Sequence, residues 1–188
     1  MDKKQKVRVK SGHTGNKKFS LSWLTATVLL TFTLSVVIGA LTSARMQDMT
    51  LGVSYAVLFL IILVGILFDI LGTAVTAASE TPFHAMASNR VFGSRVTIKL
   101  IRNSEKVANV CCDVIGDICG VISGGVGAII VSELVFRHGY NFLAVSLIAT
   151  GLISSLTVGG KALGKAFAIN NCNAIVYAAG KVLSVFKK

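Results

Sequence analysis

The chain has 188 residues, 53% of them hydrophobic and 14% charged, with a mean hydropathy of +0.74. Those values exclude an ordinary soluble domain and predict an integral membrane protein with an all-α fold, a polytopic helix bundle. A net charge of +11 would suit a nucleic-acid binder, but no basic patch interleaved with aromatic residues accompanies it, so nucleic acid is excluded as a partner.

Residues 1–18 are polar and basic, with seven cations from Lys3 to Lys18, and predict a disordered tail drawn to anionic lipid. Four apolar stretches follow: Phe19 to Leu41, Leu51 to Ala78, Val107 to Val135 and Phe142 to Gly160. Each approaches or exceeds the roughly 20 residues a membrane-spanning helix needs. The first, within residues 19–42, outruns the roughly 7 to 15 apolar residues of a secretory signal and is expected to be a retained anchor.

Between the second and third spans lies SETPFHAMASNRVFGSRVTIKLIRNSEK, which predicts juxtamembrane helices at about 82–106. Thr81 before Pro82 has the form of an N-cap followed by an N1 proline. In SRVTIKLIRN, Val96, Leu100 and Ile101 separate from Arg95, Lys99 and Arg102, as in an amphipathic helix lying on a membrane surface. His84 has no metal-ligating neighbour in sequence and is expected to be a polar surface residue. After the fourth span, one further helix is expected at about 166–186.

Seven basic residues precede the first span, five lie between the second and third, and five run from Lys161 onward. Seventeen of the nineteen thus fall on one side, leaving Arg45 and Arg137 on the other. By the positive-inside rule both termini are cytoplasmic, which predicts a multi-pass protein of the plasma membrane. The cysteines, Cys111, Cys112, Cys119 and Cys172, lack zinc-site spacing and are expected to act as small apolar packing residues.

The third span carries NVCCDVIGDICGVISGGVG. At about 100° per residue, Asn109, Asp113, Gly116, Asp117, Gly120, Gly124 and Gly127 share one face. Gly116, Gly120 and Gly124 form a small-xxx-small series, the pattern of a close helix contact, and are expected to face a neighbouring helix. Asp69, in GILFDILGTAV, is a third carboxylate within a span. Each costs about 2.5 to 3.5 kcal/mol at mid-bilayer, so each needs a partner or a function. Asp69 lies about 27 Å from Leu51 along its helix, and Asp117 about 6 Å deeper than Asp113, so these carboxylates and Lys161 and Lys165 gather in the inner half of the membrane.

Two arrangements satisfy those charges. The third and fourth spans run antiparallel, and the i, i+4 spacing of both pairs sets Asp117 against Lys161 and Asp113 against Lys165 in a charge ladder that only holds helices together. Alternatively Asp69 and Asp117, with Asp113 auxiliary, supply hard oxygen ligands to a divalent cation such as Mg²⁺.

Four segments bear on that choice: FDILGTAVTAASE, KLIRNSEKVANV, VIGD and GKALGKAFAINNCNAI. In this order they resemble the transmembrane domain of the cyclin M / CorB–CorC magnesium and cobalt transporters, over about residues 60 to 186 within a core at 49–188, with the first span an addition and the CBS-pair module missing. The resemblance implies a transported Mg²⁺, with Co²⁺ second, and a homodimer. It places Asp69 at a family serine, Asp117 at an asparagine, Lys161 at a glutamate and Gly164 at a proline, while Lys165 matches. Divalent-cation transport or homeostasis is the function expected, with Lys161 and Lys165 as counter-ions, no cofactor, and the lipid bilayer as partner. The alternative is a non-transporting structural or regulatory membrane protein held by the ladder. No enzymatic constellation is present in the sequence.

Overall fold

The computed structural model describes residues 21–46 and 50–186. The basic tail expected over 1–18, with Lys187 and Lys188, lies outside the described residues. These residues form an all-α bundle: α1 (Leu21–Met46), α2 (Leu51–Ala77), α3 (Thr81–Ser88), α4 (Ser94–Arg102), α5 (Ser104–Ala108), a π-helical stretch (Asn109–Gly116), α6 (Asp117–His138), α7 (Phe142–Asn170) and α8 (Cys172–Phe186). Four helices are long and apolar enough to cross a membrane: within Leu24–Thr42, and over Leu51–Ala77, Ser104–His138 and Phe142–Asn170.

Local chemistry sets the boundaries. Gly139, at φ 67°, closes α6 in the left-handed region that glycine reaches without a Cβ clash. Two residues on, the Asn141 side chain accepts from the N–H groups of Leu143 (3.0 Å) and Ala144 (3.4 Å), so a short polar turn reverses the chain into α7. The fourth span runs to Asn170, past the expected Gly160, and a break at Asn171 delays the last helix to Cys172. Helix α3 begins at Thr81 itself, with Pro82 one position further in; the Glu80 carbonyl accepts from the N–H groups of Phe83 (3.0 Å) and His84 (3.2 Å).

The third span is the hub. Half of the residues in its most apolar window are buried, against 17% for α2 and none for α1 and α7. Leu58 and Ile62 of α2 pack with Val114, Ile118, Ile122, Val126 and Ile130 to form one core. A second core sits at the basic end of the bundle, where Ala74 and Val75 meet Phe83, Ile101, Ala168 and Val176. Helix α1 lies against α6 alone among its stronger contacts and contributes to neither core.

Helix α4 is amphipathic as expected, but its apolar face is used inside the protein. Ile101 and Thr97 are buried, and α4 packs on α3 and α8 rather than presenting that face outward. A carboxylate clasps α3 to α4: Glu80 Oε2 accepts from Arg102 Nε at 3.2 Å and lies 3.1 Å from His84 Nε2. The bond with His84, and then that with Arg102, hold the Glu80 carboxyl below its ordinary range. Because the folded value is lowered, the clasp is complete at and above ordinary carboxylate titration and is lost as pH falls through the lowered value. Glu80→Gln is therefore expected to raise amide hydrogen exchange across residues 81–102 at pH 7 to the level the wild type reaches only in acid. Unchanged protection in that variant at pH 7 would mean the clasp holds nothing.

Candidate functional site

The buried face of α2 reads Leu58, Ile62, Gly65, Asp69, Gly72, a helical repeat that carries Asp69 inward with its apolar neighbours. The Asp69 side chain is only 3% exposed. Its Oδ2 accepts no hydrogen bond, and its compensation is the Lys165 ammonium at 3.6 Å. Lys165 is 51% exposed, so an accessible cation offsets a buried anion.

The second pair sits beside the first. Lys161 Nζ lies 3.6 Å from Asp117 Oδ1 and donates to the Gly116 carbonyl at 3.3 Å. Lys161 is 22% exposed and Asp117 72%, so here the cation is the sheltered partner. A Cβ on Gly116 would lie 3.4 Å from Lys161 Nζ and 4.0 Å from Asp69 Oδ1, which places the bare glycine backbone between the two pairs.

Half of the expected ladder is present. Asp117 meets Lys161, but Lys165 pairs with Asp69 and not with Asp113. The packing of α7 on α2 accounts for the change. Helix α7 runs parallel to α2 in a register that sets Gly160 against Ile66 and Gly164 against Ile70, which brings Lys165 to Asp69. The third span is π-helical from Asn109 to Gly116, and Asp113 and Asp117 are both exposed. With the Asn109 amide turned so that its nitrogen faces the Glu105 carbonyl, that nitrogen also donates to Asp113 Oδ2 at 3.3 Å.

Asp69, Asp113 and Asp117 are thus not gathered around one point. Among the described residues no three histidine, cysteine or acidic side chains are placed to hold a metal ion together. The arrangement instead provides two adjacent charge pairs, Asp69–Lys165 and Asp117–Lys161, on either side of Gly116.

The glycines also divide differently from expectation. Gly116 is enclosed, but added Cβ atoms on Gly120 and Gly124 would meet nothing within 4 Å. Those two line a groove of about 250 Å³ between α6 and α7, together with Ser146, Thr150, Ser154 and Thr157. Of the face glycines, Gly127 abuts Ile153 of α7, and the other close contacts fall on glycines the helical-face argument passed over. A Cβ on Gly65 would lie 2.9 Å from Cys119 Cβ, one on Gly164 would lie 2.8 Å from Ile70, and Gly72 abuts Cys111 and Cys112. The signal for Gly160 and Gly164 was their four-residue spacing, each directly before a lysine. The cysteines are all free, and Cys111, Cys112 and Cys119 serve as packing against the α2 glycines. Gly65→Ala is expected to destabilise the bundle by about 1 to 3 kcal/mol, and Gly120→Ala to stay within about 0.5 kcal/mol of wild type, as read by unfolding in mixed micelles.

Fold and site together define an all-α bundle with four helices able to span a membrane and a paired-charge site at the basic end of its core. Comparison with protein-family profiles, curated proteins and solved structures returns no match.

Proposed function

We propose that this chain handles a divalent cation in a plasma membrane, with both termini cytoplasmic, and that Mg²⁺ is the first ion to test and Co²⁺ the second. The observation that carries this is Asp69: a buried intramembrane carboxylate with an oxygen free of hydrogen bonds and a single, half-exposed counter-ion. Ionisable groups are retained within spans at a cost of several kcal/mol chiefly where ions or protons pass. The cyclin M / CorB–CorC resemblance of the α2, α6 and α7 segments supports the same cargo.

The charges give an order of events. With two carboxylates and two ammonium groups the site is neutral, so an arriving divalent cation must expel a lysine head. Lys165 leaves first, because it is accessible and held by one contact, whereas Lys161 is more sheltered and also bonded to the Gly116 carbonyl. Asp69 and Asp117 then offer oxygens, with water supplying the remaining ligands of a hexacoordinate ion. Release returns Lys165 to Asp69.

A second function, a static charge lock in a structural or regulatory membrane protein, is favoured by the two 3.6 Å pairs already being satisfied. The melting temperature of the detergent-purified chain, titrated with Mg²⁺ against an ionic-strength control, separates the two. Cation handling predicts a saturable rise that Asp69→Asn and Asp117→Asn both abolish, since a ligand binding only the folded state stabilises it. A flat titration, with Asp117→Asn less stable at every concentration, identifies a lock.

A further inference from the structure

We infer that the loop joining α3 to α4 is a binding site for the phosphate of an anionic phospholipid headgroup. Residues 90–96 surround a cavity of about 420 Å³ that has no role in the paired-charge site. Arg90 and Arg95 flank it, and among the described residues neither makes an ion pair, in contrast to Arg102, which is taken by Glu80.

The backbone of the same loop also has donors to give. The N–H groups of Phe92 and Gly93 donate to no other described residue, so two consecutive amide donors accompany the two guanidinium groups. Backbone donors in a turn of mixed handedness, beside arginine forks, are a recurrent anion cradle. The turn is of that kind: Arg90 (φ 54°) and Gly93 (φ 85°) are both left-handed.

Its shape is held from several directions. Ser94 Oγ donates to the Val91 carbonyl at 2.6 Å, and Tyr177 Oη of α8 donates to the Phe92 carbonyl at 3.3 Å. The backbone of Lys181 lies against Gly93, where an added Cβ would come within 3.2 Å. A preformed cavity loses little ordering entropy when an anion enters.

A lipid, rather than a soluble phosphate, is the occupant because of Phe92. Its side chain is 57% exposed at the loop tip, an apolar ring beside two guanidinium groups. That combination matches the boundary of an anionic leaflet, where the ring enters the acyl region and the arginines meet phosphates. The loop also lies at the end of the bundle that collects the basic residues, which the positive-inside rule sets on the cytoplasmic side, beside the anionic leaflet.

The test is native mass spectrometry of the full chain in detergent, titrated with phosphatidylglycerol and, separately, phosphatidylcholine. Arg90→Asn retains a side chain that tolerates left-handed backbone, and Arg95→Gln removes the second charge at an exposed position. Each is expected to weaken phosphatidylglycerol retention about fivefold. Lys106→Gln, an exposed cation outside the loop, is expected to change it less. Equal retention of both lipids, or equal losses from Lys106→Gln and the loop variants, would overturn the site in favour of general surface charge. Competition of millimolar inorganic phosphate with phosphatidylglycerol for the wild type but not for the loop variants would also overturn the lipid assignment, leaving a soluble-anion site.

Discussion

Lys165→Met is expected to destabilise the protein by about 3 kcal/mol in mixed-micelle unfolding, the largest effect of any single change at the paired-charge site. The substitution keeps most of the side-chain length and removes only the ammonium. It leaves Asp69 buried, with Oδ2 already free of hydrogen bonds, and without its counter-ion. The loss is the desolvation of an uncompensated carboxylate, so it should be recovered by removing that charge as well. Asp69→Asn combined with Lys165→Met is expected to return most of the stability, because the cost belongs to the unpaired ion rather than to the lost attraction. A double variant as unstable as Lys165→Met alone would mean that Lys165 acts through packing and that the pair is incidental. The same variants bear on the proposed function. If a divalent cation reaches Asp69, saturating Mg²⁺ should raise the stability of Lys165→Met more than that of wild type, because the ion no longer has to displace an ammonium.

Gly180→Val is expected to cost about 3 kcal/mol and to release α8 from the bundle. A Cβ at position 180 would collide with the Thr97 hydroxyl and lie 3.1 Å from Thr97 Cβ and 3.2 Å from its backbone nitrogen. Thr97 is fully buried and its hydroxyl donates to the Gly93 carbonyl at 3.1 Å, so it cannot step aside without breaking the start of α4. Nothing in the principal core depends on α8, since that core is built from α2 and the third span. Hydrogen exchange should therefore rise across residues 94–102 and 172–186 while 117–138 keeps its protection. Uniform loss across all three segments would show that the two cores unfold as one unit, and wild-type exchange would show that α4 and α8 are not in contact.

How much of this was legible in the residues differs from element to element. The four long helices were, because an apolar run of twenty or more residues is a signal that needs no partner to interpret. The Asp117–Lys161 pair was also legible, since antiparallel neighbours with matched i, i+4 charges have few ways to meet. Asp113 and Lys165 carry the same spacing and yet do not pair. The difference lies in the parallel register of α2 and α7, which depends on Ile66 and Ile70 finding Gly160 and Gly164. The glycine series misled for a related reason. A row of small residues shows where a backbone can come close, but Gly120 and Gly124 remain open while Gly127 of the same face and Gly65, Gly72 and Gly164 outside it take the contacts. Likewise the amphipathic pattern of α4 correctly marked an apolar face and could not say that α8 would cover it.

The sequence by itself determined which segments are helical, which of them are apolar enough to enter a membrane, and that carboxylates and lysines would gather at the basic end of the bundle. Those properties are local or compositional, and each follows from the chain's own hydropathy and spacing. Only the tertiary structure decided that Lys165 belongs to Asp69, that Asp113 is left without a lysine, and that Gly116 stands between the two pairs. Each of these depends on the rotation and register of one helix against another, which are set by side chains distant in sequence meeting at close-packed surfaces.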